Sequence, residues 1–135
     1  MCFMDFDESL KVGNTVIDHE HQNLIRYINV LQQSIEVGAD TSVIASVLDG
    51  LTEYAATHFM VEEELMKAYD YPEFSEHLNA HGKFKRRLEE LISAFSQNQA
   101  EVAESLLDFL MNWLTQHINK VDRKLARFLS ENGMT

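Results

Sequence analysis

Five histidines and two carboxylates stand at spacings that let them share a metal centre. His58 and Glu62 are four residues apart, as are His77 and His81, while His117 precedes Asp122 by five and His21 stands earlier in the chain. Residues i and i+4 of a helix lie one turn apart on one face, so each such pair can aim at a common point. A single histidine is most often exposed or hydrogen-bonded at a surface. These pairs instead fall among apolar residues: His58 lies beside Phe59 and three residues from Ala55, and His81 lies three residues from both Leu78 and Phe84. Burying imidazoles and a carboxylate without partners costs several kcal/mol, and a bound cation removes that cost.

Seven donors are too many for one tetrahedral zinc. Imidazoles mixed with carboxylates, and no thiolate, suit two iron-type ions. Ferritin-like di-iron bundles carry Glu-x-x-His pairs, and none of the six histidines here has Glu three residues before it.

Four amphipathic helices are needed to bring these groups together. Residues 1–17 read as an N-terminal arm with a turn at Gly13-Asn14-Thr15. Asp18 stands where an N-cap belongs, ahead of Leu24, Ile25, Ile28, Leu31 and Ile35, and Gly38 closes that helix. Asp40 or Thr41 caps a second helix carrying Ile44, Leu48, Leu51, Ala55 and Phe59, which stops near Tyr69 because Pro72 disfavours helical geometry at Tyr71. A third follows with Leu78, Phe84, Leu88, Leu91 and Phe95, and Gly82 within it implies close packing at that point. After the polar stretch Ser96-Gln97-Asn98-Gln99, a fourth bears Leu106, Leu110, Trp113 and Leu114, resuming past His117 with Leu125 and Leu129. Short links between long helices predict one all-α domain over residues 1–135, with an up-down-up-down antiparallel four-helix bundle at residues 18–131.

Composition agrees. Five Gly and one Pro in 135 residues leave little punctuation for a many-turned β architecture. The net charge of −11 argues against nucleic acid or an anionic membrane as a partner. The lone Cys2 excludes an internal disulfide, no apolar run approaches the ~20 residues of a membrane span, and the start lacks a secretory pattern. The expectation is a cytoplasmic protein.

The stretches VGNTVIDHEHQNLI, YAATHFMVEEELM, YPEFSEHLNAHGKF and WLTQHINKVD, in that order, resemble the hemerythrins, and specifically their single-domain bacterial branch. The resemblance spans roughly residues 12–128. It implies two non-haem iron ions, cycling between Fe2+ and Fe3+, that bind dioxygen reversibly for storage, transport or delivery. His77, His81 and His117 would hold one ion, His21 and His58 the other. Glu62 and Asp122 would bridge them alongside an oxo or hydroxo ligand. The position left open on the ion with two histidines would take the gas. Trp113, Leu114 and Ile118 match pocket residues that keep out water and acid. The resemblance also implies a monomer or weak homo-oligomer. The competing functions are an oxygen or redox sensor acting through a separate partner, and a di-iron oxidase or peroxidase. The apolar pocket residues argue against an enzyme.

Several positions carry readings of their own. Residues five apart on an ideal helix point about 140° from each other, so His117 and Asp122 predict a π-type bulge between them. His19 points away from His21 and is expected to be exposed. Glu63 reads as a solvated partner for Lys67. Phe6 stands where the bacterial proteins usually have Trp, and Asp70 replaces a common Gly.

Overall fold

The computed structural model describes residues 6–97 and 99–134, so Cys2 lies outside the described residues. Four helices pack as the antiparallel bundle expected: α1 (Thr15–Glu36), α2 (Thr41–Ala68), α3 (Phe74–Gln97) and a last rod made of α4 (Gln99–Gln116), a π-helical segment (His117–Asp122) and α5 (Arg123–Glu131). None of the described helices is long and apolar enough to cross a membrane.

Two apolar clusters divide the interior. The larger includes Leu24, Phe59, Phe84, Leu114 and Ile118; the smaller is Ile17, Met66, Tyr71, Leu125 and Leu129. Each helix crosses from one to the other, and the direction alternates. In α1, Ile17 of the small cluster precedes Leu24 of the large one; in α2, Phe59 of the large cluster precedes Met66 of the small one. The polar residues His21 and Glu62 fall between these markers. Just before α3, Tyr71 of the small cluster precedes Phe84 of the large one, with His77 and His81 between; in the last rod Ile118 precedes Leu125, with Asp122 between. The polar groups therefore form one layer, sealed above and below by apolar side chains.

The helix ends refine the sequence reading. α1 starts at Thr15, three residues before Asp18, because the Asn14 side chain already accepts the Ile17 N–H at 3.1 Å. Asp18 lies in the first turn, where a negative charge suits the helix dipole, and its carboxylate accepts the N–H groups of Val12 and Gly13. It thus ties the arm to the helix rather than capping it. Gly38 closes α1 with φ of 68°, and Ala39 N–H bonds back to Ser34 in a Schellman turn. Leu78 is 42% exposed, off the inward face set by His77, His81 and Phe84. Gly82 is not the tight spot: a Cβ there would meet only Arg86 Nη1 at 3.9 Å, whereas at Gly50 it would meet Tyr27 Cε1 at 3.3 Å. Phe6 is half-buried against the large cluster.

Candidate metal centre

Every helix contributes to the polar layer. α1 supplies His21, α2 supplies His58 and Glu62, α3 supplies His77 and His81, and the π segment supplies His117 and Asp122. None of the seven is more than 4% exposed. The π segment is where the five-residue spacing predicted it, with Arg123 N–H bonding to Ile118 five residues back.

The contacts divide the layer in two. Glu62 Oε2 lies 3.0 Å from His58 Nε2 and 3.6 Å from His21 Nε2, and Asp122 Oδ2 lies 2.7 Å from His21 Nε2. The other oxygens face the other way. Glu62 Oε1 lies 3.0 Å from Nε2 of both His77 and His81, and Asp122 Oδ1 lies 3.1 Å from His77 Nε2 and 3.0 Å from His117 Nε2. Each carboxylate therefore offers one oxygen to the His21–His58 side and one to the His77–His81–His117 side. Two groups that could each hold a metal ion follow: His21, His58, Glu62 and Asp122; and Glu62, His77, His81, His117 and Asp122, with donor atoms within 4.8 Å of one another in each.

Many of these close approaches are not hydrogen bonds. His21 Nε2, His117 Nε2, Glu62 Oε2 and both Asp122 oxygens are buried without an aligned partner. Donors that converge on a point without bonding one another fit cations at that point.

The electrostatics show what the layer does without metal. Burial opposes charge on His58, yet Glu62 and Glu20 outweigh it and raise its pKa to about 10. Burial likewise opposes charge on His77, and Asp122 and Glu62 raise it to about 9. Burial also works against an ionised Glu62, but His58, His21 and His77 hold it well below its ordinary value. Asp122 is pushed upward by burial and by Glu62, and is nonetheless held low by His117 and His21. The protons on these imidazoles thus take the place of a cation, and a metal ion would have to displace those protons.

The description "Hemerythrin HHE cation binding domain" belongs to the family model that matches residues 12–129. The chain belongs to the hemerythrin family. It is similar to a bacteriohemerythrin of Methylococcus capsulatus, at 32% identity over 113 residues covering 84% of this chain and 86% of the relative. A bacteriohemerythrin of Pseudomonas aeruginosa is 31% identical over 122 residues, covering 90% of this chain and 78% of the relative. The crystal structure of a wild-type hemerythrin superposes with a TM-score of 0.86 at 28% identity, covering 96% of this chain and 99% of that one.

All seven sequence-predicted hemerythrin ligand positions meet in one layer, and His19 stays exposed, beside Asn23. Trp113 stacks on His117 at 4.3 Å, and Phe59, which the sequence reading placed only as core, stacks on His81 at 3.9 Å. Leu114 and Ile118 are buried. Trp113 and Leu114 line an apolar cavity of about 20 Å³ with Leu24, Phe59, Phe84 and Leu110; Ile118 does not line it. Glu63 is the correction: its carboxylate lies 3.1 Å from His81 Nδ1 instead of serving Lys67 in solvent. Glu20 was overlooked altogether and lies 3.2 Å from His58 Nδ1. Its signal was a place next to the candidate ligand His21, together with the rule that a metal-binding histidine passes its outer N–H to an acceptor.

Proposed function

We propose that this hemerythrin binds dioxygen reversibly at two iron ions, as an oxygen-storing or oxygen-delivering protein. His21 and His58 would hold one ion, and His77, His81 and His117 the other. Glu62 and Asp122 would serve both, together with an oxo or hydroxo ligand. The observation that carries this reading is the division of the Glu62 and Asp122 oxygens between the two histidine groups. Two ferrous ions supply the two electrons that dioxygen accepts on binding and returns on release.

The protein's own part is to hold and to shield. The side of the layer with only two histidines, His21 and His58, is where the gas would bind. The small apolar cavity behind Trp113 and Leu114 has space for a molecule about the size of water and offers an organic substrate none, which favours a gas over an oxidase or peroxidase substrate. Apolar walls also exclude the water and acid that would make binding irreversible.

A sensing role has one observation in its favour. Arg123, next to Asp122, donates to the backbone carbonyls of Ser9 and Lys11, so the arm is anchored at the end of the π segment.

The test is optical. The iron-loaded protein is reduced without air, given oxygen, and then purged with argon. A visible charge-transfer band that appears with oxygen and fades on purging supports reversible binding. A direct change to the oxidised spectrum, with no recovery on purging, would move the assignment to a sensor or an oxidase.

A further inference from the structure

We propose that Glu20 and Glu63 are positioning residues, each holding a metal-binding histidine of the neighbouring helix by its outer ring nitrogen and adding negative charge beside the ions. This rests on reading the seven residues of the layer as metal ligands. The His58 ring has a carboxylate at each nitrogen: Nδ1 lies at hydrogen-bonding distance, 3.2 Å, from Glu20 Oε1, and Nε2 faces Glu62 Oε2 at 3.0 Å without an aligned hydrogen bond. His81 repeats the arrangement, with Nδ1 3.1 Å from Glu63 Oε2 and Nε2 3.0 Å from Glu62 Oε1.

The positions in the chain make this a device between helices. Glu20 directly precedes His21 in α1, and Glu63 directly follows Glu62 in α2. Neighbours on a helix diverge by about 100°, so neither glutamate can face the centre beside its ligand neighbour. Each instead reaches across to the next helix, Glu20 from α1 to α2 and Glu63 from α2 to α3. Their side chains are only 13% and 19% exposed, which is low for glutamates on a bundle surface. The arrangement is selective as well. Nδ1 of His21 and of His77 is buried with no partner, while one histidine in each ligand group is backed by a carboxylate.

Two consequences follow from the chemistry. A carboxylate that accepts Nδ1–H fixes the tautomer, turns the Nε2 lone pair inward, and makes the ring a stronger donor. Together with Glu62 and Asp122, the pair also places four carboxylates around the ions, which favours the higher oxidation state of bound iron.

Two substitutions at each position separate orientation from charge. Glu→Gln keeps an oxygen acceptor and removes the charge; Glu→Ala removes both. The measurements are cobalt(II) binding to the metal-free protein and the midpoint potential of the iron-loaded protein. E20A and E63A are expected to weaken cobalt binding about 10–100-fold, with E20Q and E63Q losing less. The Gln variants are expected to raise the potential, and the double variant E20Q/E63Q to raise it further. Gln has nearly the shape of Glu, so these variants remain informative if an Ala variant does not fold. Cobalt binding within about twofold of the unaltered chain, together with an unchanged potential, would overturn the positioning role alone. An unaltered chain that takes up no cobalt would overturn the metal reading, and this inference with it.

Discussion

His117 Nε2 lies 3.0 Å from Asp122 Oδ1, although five residues separate them. An ideal α-helix would turn them about 140° apart. The π segment His117–Asp122 bonds at i to i+5 and so brings residues five apart onto one face. The irregular backbone is what lets a single helix supply both a histidine on one side of the layer and a carboxylate that faces both sides.

Replacing Asp122 with Asn keeps its size and removes its charge. In the metal-free protein this leaves His21 and His117 against a neutral amide, and a loss of about 3–5 kcal/mol is expected. Bound metal should fall from two ions per chain to at most one. Elemental analysis and denaturant melts check the two effects separately, and a variant that still holds two ions would remove Asp122 from the bridge.

Metal-free stability should depend on pH in a definite direction. His58 rises from 6.5 to about 10 on folding, and His77 from 6.5 to about 9. A raised pKa adds stability that is complete below the unfolded value and is lost as pH climbs through the folded one. Stability should therefore decline between about pH 6.5 and pH 10. Glu62 and Asp122 are held low, so their contribution is present above their ordinary values of 4.5 and 3.8 and is withdrawn as pH falls below them. Urea midpoints of chelator-treated protein test this, and stability that rises from neutral to alkaline pH would contradict it. Metal uptake should release protons into a weakly buffered solution.

The two helical glycines should respond differently to alanine. Gly82→Ala puts a Cβ into ordinary contact with the flexible end of Arg86, and a gain of about 0.5–1 kcal/mol is expected from helix propensity. Gly50→Ala brings its Cβ to 3.3 Å from Tyr27, which offsets that gain. Thermal melts of the two variants should differ; equal gains would mean that the Tyr27 ring gives way freely.

Asp70 has φ of 53°, in the left-handed region, at the end of α2. Tyr71 N–H bonds to Met66 and Asp70 N–H to Lys67, the Schellman pattern that glycine serves with least strain. Asp70→Gly is expected to stabilise the protein by up to about 1 kcal/mol, because an L-residue carries a steric cost there. A lower melting temperature would show that the Asp70 side chain makes a compensating interaction.

Much of the centre was legible in the chain because helical spacing is a local rule. His58 with Glu62, and His77 with His81, had to share faces once their segments were helical, and the five-residue step from His117 to Asp122 called for an irregular turn. Glycine at 38 marked a helix end for the same local reason. Errors came where two spacings competed or where a neighbour decided the outcome. Asn14 capped α1 ahead of Asp18, Leu78 fell outside the buried face, and the tight glycine was Gly50 rather than Gly82.

The sequence by itself thus determined four amphipathic helices, the inward polar residues on each, and the need for a π turn, since all of these follow from the rise and rotation of one helix. Only the tertiary structure decided which oxygen of Glu62 and Asp122 meets which histidine, and that Glu20 and Glu63 reach across to His58 and His81. Those contacts depend on how far each helix is rotated and slid against its neighbour. That quantity is set by the packing of the two apolar clusters together, and no single helix encodes it.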